Sequence, residues 1–382
     1  MLTADQLAGL TALRHDLHRR PEVSGAEMET AARIAAELDP LGPDRIWRGL
    51  GGHGVAAEFR GVEPGPTVLL RCELDGLPIR EISDLPYRSE IPDKGHLCGH
   101  DGHMAVLIGV ARVLSNRRPG PGRVILLFQP AEETGAGAEA VIEDPRWPQI
   151  RPDYAFAWHN VPGRPLGEVG LCVGEGNCAS RGMQILLTGK SSHAAAPEDG
   201  ISPGPAMARL MTKLPALSTG GIADPEFALA TLTHARLGEP AFGIAPGQGE
   251  LRATLRSRSN DRMEALMSEA TQQVAAATEG LETEVHWHDV FRAVVNDAGA
   301  AALAGAAARD AGLSVYEMPQ PMRWSEDFGR FGDDGARAAL LYVGAGEDHP
   351  QLHNPDYDFP DALLPVMVDL FCALLKRIPA PA

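Results

Sequence analysis

The stretch Thr67-Val68-Leu69-Leu70-Arg71-Cys72-Glu73-Leu74-Asp75 starts as an apolar run and ends in carboxylates. Its length and its turn-rich borders predict a short strand. Similar apolar runs occupy 123–128, 153–158 and 338–343, and a helical pattern fills 104–114. That alternation predicts an α/β fold, a central mixed sheet flanked by helices. Upstream, Thr3-Ala4-Asp5-Gln6 and Ser24-Gly25-Ala26-Glu27 carry capping-box spacing and predict the starts of two amphipathic helices.

Further along, the order changes. The sequence predicts a strand at 183–187, a helix at 205–217, strands at 228–233 and 250–257, a helix at 262–278 and a strand at 283–287. This β-α-β-β-α-β order is the ferredoxin-like α+β pattern. The expected organisation is a discontinuous first domain, 1–180 with 291–382, interrupted by a second domain at 181–290.

The bulk composition excludes several functions. A formal net charge of −17 opposes binding to phosphate backbones and anionic lipid, so neither nucleic acid nor membrane is an expected partner. The first residues lack a basic segment followed by an apolar core, and no run of eighteen apolar residues occurs, so the expected location is cytoplasmic. Cys72, Cys98, Cys172, Cys178 and Cys372 are scattered and odd in number, which predicts reduced thiols.

Ligands of open α/β sheets bind where loops leave the carboxyl ends of the strands. Glu73 and Asp75 follow the first run, Glu132 and Glu133 the second, and His159 the third, with His353 in the loop after the fourth. The segment Cys98-Gly99-His100-Asp101-Gly102-His103 precedes the apolar helix, which places Cys98 and His100 in its leading loop and Asp101 near its N-cap. A thiolate with imidazoles and carboxylates suits Zn²⁺ or another first-row divalent ion, and not Mg²⁺ or Ca²⁺.

These motifs together resemble the metal-dependent amidohydrolases of the hippurate hydrolase, indole-acetyl-amino-acid hydrolase and N-acyl-amino-acid aminoacylase type. The resemblance runs through Leu17 to Glu22, Arg71 to Pro78, Cys98 to His103 and Phe128 to Glu133. It continues in His159-Asn160-Val161-Pro162, Gly189 to Ala194, Ser325-Glu326-Asp327-Phe328 and Leu352-His353-Asn354-Pro355. It implies that Cys98, His100, Glu133, His159 and His353 hold two divalent ions (Zn, Mn, Co or Ni), with Cys98 as a bridging thiolate. Glu132 is then the general base for a metal-activated water that cleaves small N-acyl amino acids or related N-acylated amines. His193 is implied to stabilise the oxyanion, often in a partner's site, and Asp75 and Asp101 to orient ligand imidazoles. The second domain is implied to serve as lid and dimerisation domain, which makes a homodimer or dimer-based oligomer the expected assembly.

Three positions depart from the family pattern. Glu73 stands where aspartate is common, and Gly76 where alanine is usual. Gly243-Ile244-Ala245-Pro246 replaces a pattern that begins with asparagine. Two other readings of the residues stay open. Cys98 is also a candidate nucleophile with His100 or His103 as base. A ligand-binding paralogue without turnover is the other reading, encouraged by the missing amide at Gly243.

Overall fold

The computed structural model describes residues 2–379 of the 382. The chain divides into two compact units. One comprises residues up to Gly176, Val294–Pro319 and those from Asp327 onward, and the other Asn177–Ala293 with Gln320–Glu326.

An eight-stranded sheet organises the first unit, in the order Arg45–Leu50, Gly54–Arg60, Arg123–Gln129, Thr67–Glu73, Tyr154–Val161, Arg337–Gly344, Val169–Leu171, Val315–Glu317. Its four middle strands run parallel, and both flanks include antiparallel pairs, so the sheet is mixed as expected. The Thr67–Glu73 strand is buried along its full length, as a strand covered on both faces must be. Helices Ala4–Arg19, His100–Asn116, Ala298–Asp310 and Leu363–Arg377 contribute to one continuous apolar core with the sheet, including Leu13, Leu107, Ala304 and Phe371.

The first helix begins as the sequence predicts. Thr3 accepts from the Gln6 amide, and the Gln6 side chain returns the bond to Thr3. The second capping box does not form. Helix Met28–Leu38 starts at Glu27 without a side-chain cap, because Ser24 donates to Asp75 and Glu27 accepts from the Gly25 and Ala131 amides. Both side chains are drawn toward loops at the strand ends, and that tertiary demand outweighs a local cap of about 1 kcal/mol. The central helix also starts earlier than its apolar pattern shows, so His100 and Asp101 lie in its first turn and not before it. The sequence reading omits the edge strands Arg45–Leu50 and Gly54–Arg60 and the helices Ala298–Asp310 and Leu363–Arg377.

In the second unit the antiparallel order is Ala228–Leu237, Gln248–Ser257, Ala179–Thr188, Glu282–Phe291. This is the ferredoxin-like arrangement. Met183, Ile185 and Leu187 alternate onto the buried face, where Met207, Leu210, Met263, Leu266 and Val274 of the two helices meet them. The first of those helices, Gly204–Lys213, stops short of the expected 217; a separate 3₁₀ turn at Pro215–Leu217 follows, since proline cannot continue the helical bonding.

Candidate metal centre

The parallel strands of the first unit deliver their polar residues to one edge. Cys98 leads into Gly99, whose φ of 92° caps the helix that starts at His100. A side chain at Gly99 would meet the Asn160 carboxamide at 2.6 Å, so glycine is required both for the left-handed turn and for the close approach. Two further residues of the site loops, Ala131 at φ 50° and His353 at φ 65°, hold strained left-handed conformations.

The five residues expected to hold metal form two groups that share Cys98. Ligand atoms of Cys98, His100 and His159 lie within 4.8 Å of one another, and so do those of Cys98, Glu133 and His353. Cys98 Sγ is 3.3 Å from His159 Nε2, and His353 Nε2 is 3.6 Å from Glu133. The Glu132 and Glu133 carboxylates stand 4.0 and 3.9 Å from His100 Nε2. Cys98, His100, Glu132 and His159 are buried, whereas the His353 side chain is about half exposed.

Two of the three candidate imidazoles, His100 and His159, are aimed by a bond to the other nitrogen. His100 Nδ1 donates to the Asp75 carbonyl at 2.8 Å, and His159 Nδ1 to the Asn160 carbonyl at 2.9 Å. Asp75 also accepts from Ser24 and from the Glu133 amide, tying one ligand candidate to the next. Asp101 does not orient a ligand candidate. Its carboxylate meets His18 at 2.8 Å and Arg14 at 3.6 Å.

The electrostatics are those of an anionic pocket. Burial, followed by the Glu133, Glu132 and Glu73 charges, pushes the Cys98 thiol well up. Burial pulls His100 down, but Glu73, Asp75 and Glu133 outweigh it and raise it to about 10. His159 falls well below its ordinary value, through burial and the neighbouring His103 and His100. His100 Nε2 is buried without a hydrogen-bond partner while facing two carboxylates. An imidazole nitrogen so placed, beside a thiol shared by two ligand groups, fits a resident divalent cation.

Several neighbours carry more than their spacing in the sequence signalled. Glu73 binds His103 at 2.6 Å and also pairs with Arg71. Arg71 and Gln129 both reach Asp327. The sequence placed Glu73 at a strand end but gave no sign of these partners. In the second unit, His193 is exposed in a two-residue strand, Ser192–His193, paired with Ile244–Ala245. The Ala195 amide donates to its Nδ1 at 3.0 Å, which leaves the ring proton on Nε2.

Comparison with known proteins agrees with this chemistry. Residues 69–377 match the family described as Peptidase family M20/M25/M40. N-acetylcysteine deacetylase of Bacillus subtilis is 30% identical over 369 residues, covering 96% of this chain and 95% of that one. Hippurate hydrolase of Campylobacter jejuni is 29% identical and covers 92% of both chains. The crystal structure of a Bacillus subtilis dinuclear metal-binding peptidase of the M20 family superposes with a TM-score of 0.80 at 26% identity, covering 98% of each chain. The chain therefore belongs to the M20/M25/M40 peptidase family and is a metal-dependent hydrolase of amide bonds.

Proposed function

We propose that the protein hydrolyses small N-acyl amino acids or related N-acylated amines, with Glu132 as general base. The observation that carries this reading is the shared position of Cys98 in two ligand groups made only of Cys98, His100, His159, Glu133 and His353. The names of the relatives, a deacetylase of N-acetylcysteine and a hippurate hydrolase, favour an acylated amino acid as substrate.

Those five residues would hold two divalent ions, which when bound polarise the amide carbonyl and make water nucleophilic near neutral pH. Glu132 is buried beside Glu133, with its carboxylate 4.0 Å from His100 Nε2 at the edge of the cluster. It takes a proton from the attacking water as the oxygen–carbon bond forms. As the carbon–nitrogen bond breaks, the same proton passes to the leaving amine. Asp75 keeps His100 and Glu133 in place during both transfers. His193 presents an Nε2–H donor from an exposed strand, suited to a developing oxyanion in the site of a partner subunit of a homodimer.

The thiol-nucleophile reading loses support from the geometry, because it leaves Glu133 and His353, which share a ligand group with Cys98, without a role. An assay of acetyl and benzoyl amino acids with and without chelator tests the proposal. Activity that chelator abolishes and zinc restores is expected; chelator-resistant turnover would overturn it.

A further inference from the structure

One buried group near the cluster holds no ligand candidate by its side chain and takes no part in the proton transfers. His103, on the helix that begins at His100, is fully buried. Its ring packs on Trp158 at 4.5 Å, and its two nitrogens meet Glu73 at 2.6 Å and Asn160 at 2.6 Å. The orientation of Asn160 follows from its other partners. Its amide nitrogen donates to the Cys98 carbonyl at 3.2 Å and to the Tyr357 hydroxyl at 2.5 Å. A peptide carbonyl only accepts, so the Asn160 oxygen must face His103, whose Nε2 donates.

The result is a chain of bonds from the Thr67–Glu73 strand through the central helix to Asn160 and on to the backbone of Cys98. Asn160 also follows His159 directly, and its backbone carbonyl accepts from the His159 ring. One carboxamide thus grips the peptide of Cys98 while its own peptide aims His159. The absence of a Cβ at Gly99 is what lets it come so close. Packing alone does not ask for this arrangement, because burying polar and charged groups is seldom more stabilising than apolar groups of the same shape.

We propose that Glu73, His103 and Asn160 form a positioning clamp that sets Cys98 through its backbone carbonyl and aligns it with His159. The clamp rests on the metal-site reading given above. It makes Asn160 a determinant of metal affinity although no Asn160 atom is a ligand. Substituents of this kind around metal ligands typically change affinity by about 10–100-fold.

The test is zinc titration of the full-length chain against a competing chelator, at a temperature well below unfolding. Asn160→Ala is expected to weaken zinc binding by about 10–100-fold relative to the unaltered chain. An affinity that stays unchanged while the Tm falls means a purely structural role and overturns the clamp. Should Asn160→Ala fail to fold, Asn160→Asp keeps the shape and the acceptor for His103 but loses the donor to Cys98, and the same affinity loss is expected. If the unaltered chain binds no zinc, the functional reading fails, and the clamp is then judged by alkylation of Cys98 in the metal-free chain. Faster alkylation of the Asn160 variant supports it, and an unchanged rate overturns it.

Discussion

Two buried charged clusters lie in the first unit, and they solve the same problem differently. Around Arg14, the anions are answered from within the chain. The guanidinium reaches Asp358 at 2.8 Å and Asp361 at 2.9 Å, and Asp101 sits between Arg14 and His18. Burial lowers His18, but Asp101 outweighs it and raises the ring to about 9, so it is a cation at neutral pH. Around Cys98, burial first and then the Glu133, Glu132 and Glu73 charges raise the thiol, with no guanidinium or ammonium among the causes. The first cluster closes itself. The second, in the function proposed above, would be balanced by a cation from outside.

That contrast can be broken at either end. The largest effect is expected from Glu132→Gln, which should lower kcat by about 10²–10⁴-fold or more while bound metal stays the same. Steady-state assay with metal analysis checks this; metal loss in parallel with activity would instead make Glu132 a ligand. Next, Arg14→Met leaves Asp101 and Asp358 without their guanidinium and should destabilise the fold by about 3–5 kcal/mol. Denaturant unfolding reads that loss, and zinc affinity should not change.

The pH dependence separates the clusters further. Because His18 has a folded pKa of about 9 against an ordinary 6.5, its contribution is complete below about pH 6.5 and fades as pH rises toward 9. Stability of the unaltered chain should exceed that of His18→Gln by on the order of a few kcal/mol at pH 6, and the gap should narrow at pH 9. A gap that widens with pH would contradict the assignment. At the metal cluster the sign is reversed for binding. His100 and Cys98 are both raised in the metal-free chain, so zinc uptake should release roughly two protons and tighten as pH rises. Calorimetric titration in buffers of different ionisation enthalpy counts them.

The smallest effect is expected from Glu73→Asp. One methylene shorter, the carboxylate cannot keep both Arg71 and His103, and zinc affinity should fall by about 10-fold, the low end for such partners. Competition titration against a chelator reads this change, and an undiminished affinity would remove Glu73 from the clamp.

Much of this was legible in the sequence because it follows local rules. The four parallel strands announced themselves as apolar runs, and Glu73, Glu132, His159 and His353 follow or close them. The ferredoxin-like order was readable from alternating strands and two amphipathic helices. What escaped was decided by tertiary demand. Ser24 and Glu27 have the spacing of a helix cap, yet Asp75 and the Ala131 amide claim them. Asp101 sits beside a ligand candidate in the chain, but on the first turn of the helix its carboxylate points to His18. The roles of His103 and Asn160 depend on partners 30 and 57 residues away, which no spacing along one strand or helix encodes.

In the function proposed above, metal completes the Cys98 cluster. Zinc titration of chelator-treated protein, followed by calorimetry and thermal unfolding, tests it most directly. The expected outcome is two ions bound per chain, proton release on binding, and stabilisation by about 2.7 kcal/mol per site when free zinc is 100 times that site's Kd. Titration that finds no saturable zinc binding, with hydrolysis undiminished in chelator, would contradict it.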